Sequence, residues 1–199
     1  DNPQAAAALG YVIGLINTDH VAPPASDTND NGDFSRNQFL SGRMAVFQSG
    51  TYNLAQVAGQ ARFRWGVVML PAGPAGRVSV TNGIVAAGNP ATEHPEAVRA
   101  VLDWLGGPGN AYLGRSGAAI PAVLSAQPVY FDYWRDNGVD VTPFFAVLDG
   151  PRIAAPGGVG FAAGFQAIKP FFDEIFLGRR PVPDTLAAAQ RAANAAAQR

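Results

Sequence analysis

Three stretches of this sequence place residue types at spacings that could do chemistry. The first runs from Asp27 to Gln38, "DTNDNGDFSRNQ". Asp27, Asn29, Asn31 and Gly32 follow the first half of an EF-hand calcium loop. Its last position, however, is Gln38 where the pattern needs a bidentate Glu, and Ca²⁺ wants several carboxylate oxygens. The expectation is a solvated Asx-rich turn with no metal. The second, Gly158-Val159-Gly160-Phe161-Ala162-Ala163, fits a loose dinucleotide fingerprint. That signal needs a strand before it and an acidic residue ending a second strand further on. Here "RIAAPG" precedes and only helix pattern comes after, so the stretch reads as a flexible loop leading into a helix, and no cofactor is expected. The third, Gly114-Arg115-Ser116-Gly117-Ala118, has the outline of a nucleophile elbow. A triad of that kind needs a later histidine, and the two histidines, His20 and His94, both come earlier. His94 reads instead as a helix-start residue. The carboxylates show no helical pairing that suggests acid–base work, so no catalytic residue is predicted.

What remains is aromatic: 12 Phe, 5 Tyr and 3 Trp. Most of these rings belong to the core. Tyr52 and the pair Phe161/Phe165 stand out because each lies beside glycine at an element boundary, where a ring can face a cleft. Flat rings near Asn side chains and backbone N–H groups suit a sugar. Its apolar C–H face stacks while its hydroxyls take hydrogen bonds.

Those rings need a scaffold, and the composition allows one. The chain has 199 residues, 48% hydrophobic and 15% charged, with net charge -1. That is a globular balance, enough for one large domain or two modest lobes. No basic cluster is present, which argues against a nucleic-acid partner. No run approaches the ~18 apolar residues of a membrane span, and no cleavable signal is seen before Asp1. The absence of cysteine removes disulfides, thiolate metal sites and cysteine nucleophiles.

Asn2-Pro3 predicts a capped helix start, with Leu9, Val12, Ile13 and Ile16 at helical spacing. Residues 21–34 read as a polar loop, Ser35–Leu40 as helix and Met44–Gln48 as a short strand. Arg64–Leu70 reads as a buried strand stopped by Pro71. Val78–Ala87 reads as strand with a soft turn at Asn82-Gly83. His94-Pro95 starts a helix with Val98, Val101, Leu102 and Leu105 on one face, ended by Gly106-Gly107. A short helix spans Ala111–Arg115, "AAIPA" is extended, and residues 128–160 read as aromatic and loop-rich. Phe161, Phe165, Ile168, Phe172, Ile175 and Phe176 predict a helix that Pro170 should kink or split. An Ala-rich helix begins at about Pro183. The alternation gives an α/β class, with few strands for a chain of this length.

The order of these pieces resembles the C-terminal half of an extracellular solute-binding protein of an ABC importer, of the sugar-binding type similar to maltose-binding protein. The similar stretches are "AALGYVIGLINTDHVAPP", "NQFLSGRMAVFQSGTYNL", "WGVVMLPAGPAG", "VTNGIVAAGNPATEHPEAVRAVLDWL", "GAAIPA" and "FLGRRPVPDTLAAAQRAAN". They run through nearly the whole chain in the family's order. The resemblance implies an α/β, periplasmic-binding-protein-like two-lobe fold represented by its C-terminal half. Residues 1–68 would belong to the second lobe, 69–124 would cross to the first, and 125–199 would return with the closing helices. It implies a non-enzymatic protein that captures a carbohydrate or related polyol in an interlobe cleft and delivers it to a membrane permease. It further implies an extracytoplasmic location, periplasmic or lipid-anchored, and a missing N-terminal half as partner. The ligand-binding positions it implies are Gly50, Thr51 and Tyr52, where the family turns an aromatic ring into the cleft. Asn82 and Gly83 fall at a small-residue turn, and Phe165 or Phe161 at the start of the long helix. Tyr52 stands where Trp is common. The alternative is a fragment of an α/β hydrolase or transferase acting on glycosides or esters.

Overall fold

The computed structural model describes residues 2–29 and 31–198. Among the described residues ten helices occur in chain order: α1 (Pro3–Asn17), α2 (Ala25–Thr28), α3 (Phe34–Leu40), α4 (Leu54–Gln60), α5 (Pro95–Gly106), α6 (Asn110–Arg115), α7 (Pro128–Asp136), α8 (Thr142–Ala146), α9 (Phe161–Phe176) and α10 (Val182–Ala197). Two short strands, β1 (Ser79–Thr81) and β2 (Arg152–Ala154), pair in parallel, with Val80 opposite Ile153. The chain divides into two compact units, Asp1–Ala45 with Pro156–Arg199, and Val46–Ala155.

The first unit is helical. The Asn2 side chain accepts the Ala5 N–H at 2.7 Å and Pro3 opens the first turn, so α1 begins as its cap predicts. The helices α9 and α10 pack through small residues. A Cβ on Gly160 would lie 2.7 Å from the Ala197 carbonyl oxygen, and one on Gly164 would lie 3.4 Å from that of Ala193. Four residues forward on α9 is four back on α10, so the pair is antiparallel with closely approaching backbones. Ile175, Thr185, Leu186 and Ala189 are buried along these helices. Gly160 sits at φ +75° just before α9, a left-handed conformation that favours glycine. The α9 helix runs through Pro170 as one element, so the expected split does not occur. The Asn17 side chain donates to the Phe176 carbonyl at 3.3 Å, tying the end of α1 to the end of α9.

The second unit has an aromatic core. Leu54, Tyr130, Trp134 and Val141 are buried together, with Trp65, Val67, Ile120 and Phe145 packed against them. Tyr130 and Trp134 stand four residues apart on α7, so one face of that helix enters the core. Residues 128–160 are therefore more structured than the loop-rich reading anticipated. Pro128 opens α7 and Pro143 lies in the first turn of α8. Gly117, at φ +66°, has no room for a side chain beneath Tyr133 and Trp134. Asn110 is buried and bridges α6 to the next segment. It donates to the Leu105 carbonyl at 2.5 Å and accepts the Ala122 and Val123 N–H groups at 2.8 and 3.3 Å.

The strand expectations change most. Met44–Gln48 and Arg64–Leu70 form no ladder among the described residues, and Val78–Ala87 contracts to β1. Along residues 64–70 only alternate side chains turn inward, and Val68 and Leu70 are exposed, so the stretch is not fully buried. A strand exists only where a neighbour supplies the ladder. Of these three expected strands, that neighbour exists only for the part that forms β1, paired with β2.

Candidate ligand-binding site

Gly50 is extended, with φ −111° and ψ 178°. A single 3₁₀ turn, Thr51–Asn53, then leads directly into α4. Hydrogen bonds close this turn. The Asn53 N–H donates to the Gly50 carbonyl at 3.2 Å, and the Asn53 side chain donates to the Ser49 hydroxyl at 2.7 Å. Leu54 and Val57 anchor α4 in the interior. Between these fixed points Tyr52 projects outward with 76% of its surface exposed. Its ring lies over Gly50, where a Cβ would come within 2.6 Å of Cε1. Glycine therefore leaves the space that the ring occupies.

Asn82 and Gly83 directly succeed β1 and are both exposed or nearly so. The neighbouring backbone is fixed by the Ala155 N–H donating to the Thr81 carbonyl at 3.2 Å. No hydrogen bond or ring contact joins Asn82 or Gly83 to Tyr52 among the described residues. Phe161 and Phe165, in the other unit, stack one turn apart with centroids 5.7 Å apart and planes 23° apart. Both rings are about half exposed, at 40% and 47%.

One neighbour of these rings escaped the sequence reading. Lys169, the chain's single lysine, holds its Nζ 5.5 Å from the Phe165 ring centroid. The signal was available, since residues 161, 165 and 169 share one helix face at a spacing of four. The result is two stacked rings with an ammonium at one end.

Two surface grooves in the second unit, of about 330 and 390 Å³, are lined by residues around Leu70–Ser79 and around Val139–Thr142. None of the candidate residues lines either groove. Among the described residues no group of three His, Asp or Glu side chains could hold a metal ion. The clearest electrostatic perturbation is structural. Burial pushes the Tyr130 hydroxyl up to about 12, partly opposed by the neighbouring Trp134 indole N–H, which lies near it without forming a well-aligned hydrogen bond. What the exposed rings can do chemically is stack against a flat, partly apolar molecule.

The profile of the bacterial extracellular solute-binding protein family matches residues 1–112, more than half of the chain. The chain belongs to that family. The crystal structure of M. tuberculosis UspC, in its monoclinic form, matches with a TM-score of 0.82 at 76% sequence identity. The match covers 98% of this chain and 49% of UspC, so the chain spans about half of that protein's length. No curated protein matches the chain. Solute-binding proteins of this family bind rather than turn over their ligands, which sets aside the hydrolase or transferase alternative. The fold class is the α/β periplasmic-binding-protein type, represented here in part, mostly by its helices and one small parallel sheet. The family is an extracellular one, which implies an extracytoplasmic location.

Proposed function

We propose that this chain is part of the substrate-binding component of an ABC importer, which captures a carbohydrate or related polyol and delivers it to a membrane permease. The observation that carries the reading is Tyr52. An aromatic ring with three quarters of its surface exposed, resting over Gly50 on a turn fixed by hydrogen bonds and by buried Leu54, adds nothing to the buried core. Such a ring is pre-organised to stack on the C–H face of a sugar, losing little entropy on binding. In this reading Gly50 and Thr51 hold the ring's turn, and Asn82 and Gly83 offer polar groups to ligand hydroxyls. The Phe161/Phe165 stack provides further aromatic surface. The reading assigns residues 1–68 and 125–199 to the second lobe and 69–124 to the first. It places the protein outside the cytoplasmic membrane, free in the periplasm or lipid-anchored at the cell surface.

The test is titration calorimetry of the protein against a panel of neutral mono- and disaccharides and polyols, with product analysis of each mixture. Saturable binding without turnover, weakened by Tyr52→Ala, is the expected result. Absence of binding to every sugar and polyol, or binding indifferent to Tyr52, overturns the assignment.

A further inference from the structure

Three Asn–Gly pairs occur in this chain: Asn31-Gly32, Asn82-Gly83 and Asn137-Gly138. The side-chain carbonyl carbon of asparagine, Cγ, is an electrophile that can close a five-membered ring with the backbone nitrogen of the next residue. Closure needs that nitrogen free of other partners, a side chain free to turn toward it, and no Cβ in the way. Glycine meets the last condition at all three pairs. The structure separates them by the first two.

Asn137-Gly138 is locked. The Asn137 side chain donates to the Tyr133 carbonyl at 2.8 Å, and the Gly138 N–H donates to the Arg135 carbonyl at 2.9 Å. Asn31-Gly32 is half held. The Asn31 Oδ1 accepts the Asp33 N–H at 3.1 Å, an Asx turn that engages the side chain beyond Gly32. Asn82-Gly83 is held by neither device. Both residues are exposed, and among the described residues neither the Asn82 side chain nor the Gly83 N–H makes a hydrogen bond. The ladder stops one residue earlier, where the Thr81 carbonyl accepts the Ala155 N–H at 3.2 Å. From 82 to 88 no backbone–backbone hydrogen bond forms. High exposure without backbone hydrogen bonds marks a segment of low local stability.

We infer that Asn82 is a self-modification site, converted to aspartyl and isoaspartyl forms through a succinimide closed with Gly83. The Gly83 nitrogen gives its proton to hydroxide or water and bonds to the Asn82 Cγ. The bond from Cγ to the side-chain nitrogen breaks, and that nitrogen leaves as ammonia. One water then opens the ring. Attack at Cγ restores the normal main chain and leaves aspartate. Attack at the main-chain carbonyl leaves the chain running through Cγ, an isoaspartate with an extra methylene in the backbone. Water enters, ammonia leaves, and nothing is oxidised or reduced. Either product replaces an amide that donates and accepts with a carboxylate that only accepts. At a position that the proposed function gives to ligand hydroxyls, that exchange weakens sugar binding. This consequence rests on that reading, whereas the chemistry of the pair does not.

The experiment holds residues 1–199 in warm, mildly alkaline buffer and follows each Asn–Gly peptide by mass spectrometry, with isoaspartate counted by enzymatic carboxyl methylation. The Asn82 peptide should convert several-fold faster than the Asn31 peptide, and the Asn137 peptide should be slowest. Gly83→Ala should slow conversion of Asn82 several-fold, because a methyl group crowds the attacking nitrogen. Its melting temperature should be unchanged, since no atom beyond the adjoining residues lies within 4 Å of the added Cβ and the backbone there is not left-handed. In concentrated guanidinium chloride the three sites should converge to similar rates. Faster conversion at Asn31 or Asn137, an Asn82 rate indifferent to Gly83→Ala, or the same ranking in denaturant overturns the inference. Sugar titration of the aged protein is read separately. Conversion at Asn82 with unaltered affinity leaves the modification standing and overturns the ligand contact.

Discussion

Gly50→Ala separates the placement of Tyr52 from its mere presence. At φ −111° and ψ 178° any residue adopts the Gly50 backbone, so the substitution adds no strain to the main chain. Removing glycine should even stabilise the fold slightly, by about 0.4–1 kcal/mol, through the unfolded state. The new Cβ, however, would lie 2.6 Å from Tyr52 Cε1 and 3.0 Å from Cδ1. Carbon atoms rest at about 3.5–4.0 Å, so the ring must retreat by about 1 Å. An exposed ring can do so at small cost to stability, but a stacking platform moved that far loses part of its contact with a ligand. Full removal of the ring in Tyr52→Ala should cost ~1–3 kcal/mol of binding, the scale of aromatic stacking on flat ligands. That corresponds to roughly 5- to 150-fold in affinity, and Gly50→Ala should lose about fivefold. Calorimetric titration with the tightest-binding sugar, paired with thermal melts, reads both quantities. If Gly50→Ala binds as the parent does while Tyr52→Ala does not, the ring acts without a fixed position. If either variant loses several degrees of melting temperature, Tyr52 is a packing residue and the argument fails.

The packing leads to four further outcomes. Tyr130 keeps its proton in the folded state up to about pH 12, while the unfolded chain ionises near 10. The contribution is whole below pH 10 and is lost as the pH rises to 12, about 2–3 kcal/mol in all. Urea melts across that range should show the loss, and Tyr130→Phe should abolish it. Asn110→Ala leaves the Leu105 carbonyl and the Ala122 and Val123 N–H groups without their partner. Leu105 and Ala122 are exposed, so water can replace part of what is lost, and a drop in stability of about 1–3 kcal/mol in all is expected, read as a lower denaturant midpoint. Gly160→Ala meets Ala197 at 2.7–2.9 Å from a left-handed backbone. It should destabilise the α9–α10 pair by about 2 kcal/mol or more, read by circular dichroism melts. Pro170→Ala restores a backbone donor inside α9. A rise in melting temperature, from about 1–3 kcal/mol, is the expected sign.

The features legible in the sequence are those whose cause is local. Asn2-Pro3 encodes a cap within four residues, and the Phe161–Phe176 spacing is helical throughout, although its first two rings stay exposed, so both elements could be read from the chain. The α7 helix was hidden because Tyr130, Phe131, Tyr133 and Trp134 crowd aromatic rings onto several faces and blur the helical period. Strands failed for the opposite reason. Arg64–Leu70 has the composition and alternation of a strand, but its ladder depends on a neighbour that local pattern does not reveal. The partner of β1 lies more than seventy residues later, in the stretch read as loop. At the candidate site, the glycine before Tyr52 was visible in the sequence. The packing of the ring over that glycine was not, because it depends on the turn's dihedral angles.

Eight of the exposed apolar side chains fall into two chemical kinds, and the difference separates ligand surface from protein surface. Tyr52, Phe161 and Phe165 are flat rings at or beside helix starts, close behind a glycine and fixed by buried neighbours. Their faces are available while their backbones are satisfied, so a small molecule can dock without further folding. Val68, Val80, Ile84, Val85 and Ile153 are β-branched and sit on extended backbone, much of it without ladder partners. Their covering must supply both apolar contact and main-chain hydrogen bonds, because burying that backbone without partners would cost free energy. A sugar can stack on the first kind. It cannot complete the second, which needs another stretch of polypeptide. Exposure alone would group all eight residues together, whereas the state of the backbone beneath each side chain divides them.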